Sequence, residues 1–407
     1  MINMAVLYLG SCDTGRRPTD PKKFLAPYHM DGVLKNTVSF RDDDRTTWRR
    51  FRNTDGQKVA QLQQFLFEKG FMPRGVIDGI FDYVTQASVR LFQEYIRTIE
   101  GVESTLPDGI VGKTTQGHID RWKASGKISA WAAASITNPS TEYTQWINLL
   151  RKAKTHYSEN PNPILEQVIG FQRPTDTRKV NDWHFDPKET HLIGIRRAQD
   201  LSQDRRDNDD IFILLIRGLV FKFWGSTDSS QGMISRRDEA FLVEGQHKYR
   251  FGWHKISVER KIYRALKPYR NGVLVFRDRD DDNALTESDL NEGLDTNTNQ
   301  TINIHWSGIG RSNWSAGCQV IAGKSYINHL DELVDCSAHA ASGYSVLNST
   351  KKKTKGAYNV LADLIVSFSH SDINHVYYTL GRESSLKLDE GLRVNYAFET
   401  LKRMKNI

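Results

Sequence analysis

Two stretches of the chain, thirty residues apart, carry one pattern. Asp78-Gly79-Ile80-Phe81-Asp82-Tyr83-Val84-Thr85-Gln86 and Asp108-Gly109-Ile110-Val111-Gly112-Lys113-Thr114-Thr115-Gln116 share Asp, Gly, Ile, Thr and Gln at matching places. Each Asp-Gly makes a tight turn, the next apolar residue plugs a core, and the Thr opens a helix. Val59, Leu62, Phe65 and Leu66 mark the buried face of a preceding helix that stops at Gly70. Val89, Phe92 and Ile96 mark a second. The pattern predicts a small three-helix bundle over 56–125, preceded by an irregular arm over 1–55 that is rich in Asp, Arg and Pro.

A chain of 407 residues is long enough for two or three domains, and its 38% hydrophobic content suits a globular protein. Tyr143, Ile147 and Leu150 suggest a helix from Ser140 to about Asn160, inside a helical and irregular connector over 126–210. The charged run Asp204-Arg205-Arg206-Asp207-Asn208-Asp209-Asp210 reads as a solvated loop at a domain edge. From Ile211 the pattern turns to strands: a continuous apolar run Ile211–Ile216, then Val220–Trp224 alternating around Lys222, Val273–Phe276, Ile302–Trp306 and His375–Leu380. Ser325–Val334 reads as helical. The expected fold is multidomain α+β, with a sheet-dominated domain over 211–407.

The net charge of +7 favours an anionic surface, but the basic residues form no stripe interleaved with aromatics, so nucleic acid is not expected as a partner. No apolar run approaches the roughly 18 residues that span a bilayer. Leu9-Gly10-Ser11-Cys12 resembles a lipoprotein cleavage box, yet the apolar stretch before it is only about seven residues long and no Lys or Arg precedes it. A first strand over Ala5–Leu9 is the better reading, and no export signal is expected. Three cysteines (Cys12, Cys318, Cys336) are too few for a disulfide scaffold.

Cys318 stands in Ser315-Ala316-Gly317-Cys318, thirteen residues after His305. A free thiol with a pKa of about 8.5 is mostly protonated at neutral pH, and a neighbouring imidazole can take its proton. Small residues before the Cys leave backbone N–H groups accessible for an oxyanion hole. The segment therefore reads as a cysteine acyl-transfer site with Cys318 as nucleophile, His305 as base, and Gly317 and Ser315 shaping the turn. A packed histidine and a structural thiol are the competing reading. Trp306 and Trp314 flank the pair and are candidate walls of the substrate pocket or ordinary core residues. His247, Tyr249 and His254 are candidate substrate contacts or surface residues of a hairpin, and Gln319, directly after Cys318, is a further candidate contact.

Two resemblances sharpen this. Residues 56–123 resemble the three-helix peptidoglycan-binding domain family through Asp78, Gly79, Phe81, Thr85, Ala87, Val89, Phe92 and Gln93, with Asp82 departing where the family often has Gly. Residues 303–321, within a domain of about 211–385, resemble the signature of the L,D-transpeptidase catalytic domain through His305, Ser315, Gly317 and Cys318. The departures there are Ala316 for His, Gln319-Val320 for an apolar residue and Arg, and a short His-to-Cys gap. The resemblances imply a protein that binds peptidoglycan and forms a thioester with its stem peptides, as a transpeptidase or a hydrolase, at the bacterial cell wall or periplasm. The alternative is a non-catalytic wall-binding component of a phage tail or contractile injection device. No cofactor is implied, and no residue is assigned to a metal. Asp278, Asp280 and Asp282 fall at positions one, three and five of a calcium-loop pattern, with Asp289 where its bidentate Glu would stand, but a charged hairpin loop is preferred. Cys336 with His339, the histidines His184 and His191, and Lys351-Lys352-Lys353 carry no expected chemistry.

Overall fold

The computed structural model describes residues 6–20, 24–25, 38–42, 47–197, 208–229, 238–254, 263–280, 285–309, 312–313, 315–343, 354–369, 375–386 and 395–405. The chain is a mixed α+β fold in which an N-terminal helical region precedes a large sheet-rich domain. Eight strands of the sheet, numbered here in chain order, form a barrel: β1 (His191–Arg196), β2 (Asp210–Ile216), β3 (Leu219–Ser226), β4 (Gly245–His254), β5 (Tyr263–Pro268), β6 (Ile304–Trp306), β7 (Gln319–Ile321) and β8 (Val376–Arg382). Around the barrel the order is β7-β6-β5-β4-β8-β1-β2-β3, and β3 pairs with β7 to close it. Only β6 with β7 and β8 with β1 run parallel.

The apolar run at Ile211–Ile216 is continuous because β2 is buried on both faces. Phe212, Leu214 and Ile216 belong to the main core, while Ile211, Ile213 and Leu215 pack with Trp146, Ile147 and Leu150 of the outer helix Thr141–Glu159. Closure needs Gly225: a Cβ there would lie 1.8 Å from the Val320 carbonyl oxygen, so any side chain would push β3 off β7.

Among the described residues, the N-terminal helical region includes α1 (Lys58–Glu68), α2 (Tyr83–Thr98) and α3 (Lys113–Ser125). The thirty-residue repeat has one physical device behind it. Gln63 Nε2 donates to Asp78 Oδ1, the Ile80 carbonyl and Thr85 Oγ1, while its Oε1 accepts from Gly79 N–H. Gln93 repeats this with Asp108, Ile110, Thr115 and Gly109. A buried amide thus fastens each Asp-Gly turn to the helix before it. Asp82 and Gly112 occupy equivalent N-cap positions in extended backbone, so Asp82 does not disturb the turn. Its carboxylate caps α2 by accepting from Thr85 N–H at 2.8 Å.

The helical region and the sheet share one apolar core. Between them lies helix α4 (Ala357–Phe368), buried along its whole length and packed on α2. Arg90 of α2 grips Asp363 of α4 through two bonds, at 2.8 and 3.0 Å, and Arg264 of β5 reaches the same carboxylate at 2.7 Å. A dry ion triad of this kind is costly to break on one side, about 3–5 kcal/mol.

Three expectations are corrected. Ser325–Val334 is not helical: Ser325–Ile327 and Leu333–Asp335 pair as a hairpin. The sheet begins before 211, because β1 lies between β8 and β2; its six residues are flanked by polar chain that hid them. Of Ala5–Leu9, the described residues 6–9 form only one bridge, Leu7 to Val111, and the first paired strand is Ser11–Cys12 with Arg52–Asn53. Of the charged run, 204–207 lie outside the described residues, as do Lys351-Lys352-Lys353, but Asn208 and Asp210 are fully buried and Asp210 opens β2, so that end is not a solvated loop.

Burial, helped by the nearby Asp78 charge, pushes the Asp82 carboxyl up to about 7. An acid raised in the folded state contributes stability below its unfolded pKa and loses it as pH rises towards the folded value. Asp82→Asn keeps the capping acceptor without the charge. In urea unfolding it should match the parent near pH 4 and exceed it by more than about 1 kcal/mol at pH 8; a constant difference across that range contradicts the burial argument.

Candidate active site

Parallel pairing sets Ile304 beside Gln319 and His305 beside Val320. Strand alternation then sends Asn303, His305, Cys318 and Val320 to one face and Ile304, Trp306, Gln319 and Ile321 to the other. The sequence-predicted pair His305 and Cys318 therefore sits on neighbouring strands of one barrel face, both side chains half-buried. Cys318 Sγ accepts from Asn303 N–H at 3.4 Å and donates to the Thr301 carbonyl at 3.2 Å.

His305 Nδ1 meets two partners. It lies 2.9 Å from the Trp306 carbonyl, which can only accept; a hydrogen on Nδ1 satisfies that contact and puts the basic lone pair of the neutral ring on Nε2. Tyr263 Oη is 2.8 Å from the same nitrogen and also donates to the Trp306 carbonyl at 3.2 Å. A base for a thiol requires this arrangement: one nitrogen anchored, the other able to take a proton.

The turn before Cys318 is built for a glycine. Gly317 has φ +132°, and a Cβ would meet the Ala240 carbonyl at 3.0 Å and Ile302 Cδ1 at 3.1 Å. Ser315, nearly buried, gives its N–H to Asn313 Oδ1 at 2.8 Å, and Asn313 Nδ2 donates to the Asp228 carbonyl at 2.8 Å and to Ser226 Oγ at 3.1 Å. The approach to Cys318 is thereby tied to the end of β3.

Several predicted contacts are placed elsewhere. His247 is fully buried between Thr177 Oγ1 and the Val243 carbonyl, with burial driving its pKa down to about 3, so it is neither a substrate contact nor a surface residue. Tyr249 is buried beneath the site and donates to the Ile302 carbonyl at 3.0 Å; burial, then the nearby Cys318, hold its hydroxyl well above the usual range. Gln319 is also interior, donating to the Thr227 carbonyl and accepting from Tyr378 Oη at 2.7 Å. Trp306 is buried in the core, and Trp314 lies outside the described residues. On these strands one face packs into the apolar core inside the barrel, so the positions that point inward cannot meet a ligand. His254 alone of the set joins the pair, stacked on His305 with ring centroids 4.2 Å apart.

Two residues of the site went unnoticed in the sequence. Asn303 lies two positions before His305, so strand periodicity could have found it. Tyr263 is forty-two residues from His305 and carries no local signal.

The Asp278, Asp280 and Asp289 ligand oxygens lie within 4.8 Å of one another and could hold a cation. Asp289 already spends Oδ2 on Thr286, at 2.8 Å to its N–H and 3.1 Å to its hydroxyl, capping the helix Glu287–Glu292. Asp281, Asp282 and Asn283 lie outside the described residues. Cys336 is fully buried against Arg97, and burial raises its pKa strongly. Among the described residues no helix is long and apolar enough to cross a membrane. Compared with known proteins, the chain matches no family model, no curated protein and no solved structure.

The three thiols should differ sharply towards iodoacetamide in the native protein at pH 7. Cys318 should label, whereas Cys12, buried and pushed up to about 12, and Cys336 should label only in denaturant. Peptide mapping that found Cys336 modified as fast as Cys318 would contradict the placement of the thiols.

Proposed function

We propose that the chain is a peptidoglycan-modifying cysteine enzyme that acts on stem peptides through a thioester, as an L,D-transpeptidase or an L,D-carboxypeptidase or endopeptidase. One observation carries the reading: Cys318 and His305 share a barrel face, with His305 Nδ1 anchored on a carbonyl so that Nε2 is the base. The resemblance of His305, Ser315, Gly317 and Cys318 to the transpeptidase signature supplies the substrate class, and the resemblance of 56–123 to peptidoglycan-binding domains points to the same polymer.

In this mechanism the Cys318 proton moves to His305 Nε2, and the thiolate attacks the carbonyl carbon of a stem-peptide bond. Backbone N–H groups of Gly317 and Cys318 hold the oxyanion. The intermediate collapses, the C–N bond breaks, and the leaving amine takes the proton from His305. The thioester is then opened by an amine, giving transfer, or by water, giving hydrolysis. Wall affinity in the helical region would raise the effective concentration of an insoluble substrate.

Purified muropeptides incubated with the protein and with Cys318→Ala, then resolved by mass spectrometry, test this directly. Loss of a terminal D-amino acid, a new cross-link or addition of water is expected from the parent and absent from the variant. No product from any stem peptide, with intact binding to murein sacculi, would favour the non-catalytic phage-tail or injection-device component instead.

A further inference from the structure

Resting on the assignment of His305 as the base, we infer that His254 is a positioning residue that, with Asn303, keeps His305 the ring that receives the thiol proton. His254 ends β4 and lies face to face with His305, the centroids 4.2 Å apart and the planes 20° from parallel. Its Nδ1 accepts from Asn303 Nδ2 at 3.0 Å, so in the neutral ring the hydrogen sits on Nε2, the reverse of the His305 tautomer. Asn303 is nearly buried and also donates its backbone N–H to Cys318 Sγ. One asparagine thus ties the second histidine to the nucleophile, while the stack ties it to the base.

The charge arithmetic follows from this geometry. When His305 takes the Cys318 proton, the S–H bond is exchanged for an N–H bond and an imidazolium faces a thiolate. A second proton on His254 would set two cations face to face and aim a new Nδ1–H at the Asn303 amide hydrogens. Both effects hold His254 neutral, and a neutral aromatic face stacked on the imidazolium is compatible with its charge. The pair therefore binds one proton near neutrality, not two. Among the described residues, the titratable groups near these rings include Cys318, Tyr249 beneath it, Tyr263 on β5, and Lys355. The Lys355 ammonium lies 5.7 Å from the Tyr263 ring and 6.0 Å from the Trp306 ring. Lys355 is common to the parent and the variants below, so it does not produce a difference between them.

The test uses the full chain and needs no murein. The iodoacetamide rate at Cys318 is followed from pH 5 to 10 in the parent, His254→Ala, His254→Phe and Asn303→Ala. The parent profile is expected to lie below that of a free thiol. His254→Ala and Asn303→Ala should move it upward by about one pH unit, roughly tenfold in rate at pH 7. His254→Phe, which restores the stack without the hydrogen bond, should recover part of the shift. Unchanged profiles in folded variants would overturn the inference. Should the variants not fold, histidine-resolved NMR titration of the parent decides. One of the two stacked rings taking up a proton near neutrality supports the inference, and both titrating independently near the ordinary histidine value overturns it. Failure of the muropeptide assay with the predicted shift present would remove the substrate assignment and leave this one standing.

Discussion

The structure depends on a short parallel contact, Ile304–Trp306 against Gln319–Ile321, locked by closure of the barrel. Three residues on each side are little to hold a site in place. They hold because the next strand over, β3, has a glycine where any side chain would collide with the Val320 carbonyl. The inward-facing Gln319 also ties the floor of the site to Thr227 and Tyr378. The outward face of the same pairing carries the thiol and the imidazole. Burial on one side of these strands thus fixes the geometry of reactive groups on the other.

The helical region is joined to this scaffold through buried polar groups as well as apolar ones. Arg90, Asp363 and Arg264 connect α2, α4 and β5, and Arg264 follows directly after Tyr263, the residue bonded to His305. Tyr326 donates to Glu94 across the same boundary. Such groups must be satisfied together or not at all, which favours one relative placement of helices and barrel. The chain is therefore less modular than two domains read separately from their motifs.

What the sequence made legible was local or periodic. The run Ile211–Ile216 announced a strand buried on both faces, and the thirty-residue repeat announced two equivalent turn-and-helix units, although the Gln63 and Gln93 clamps behind it emerged only in three dimensions. Cys318 and His305 were readable because they are close in sequence and chemically distinctive. Ser325–Val334 misled because a tight hairpin of two three-residue strands offers too few alternating positions to outweigh its charged turn. His247 and Tyr249 were misplaced because periodicity cannot say which face of a barrel strand is inside. Tyr263 and the His254 stack arise from strand neighbours distant in sequence, which no single-strand pattern records.

The central claim is that sulfur and imidazole together form an acyl-enzyme on murein stem peptides. Intact-protein mass spectrometry after acid quench, with a disaccharide-tetrapeptide as substrate, measures that bond itself. The account predicts an adduct of the acyl fragment's mass on Cys318, lost in Cys318→Ala and strongly reduced in His305→Ala. Absence of any adduct from a protein whose Cys318 still labels with iodoacetamide would contradict it.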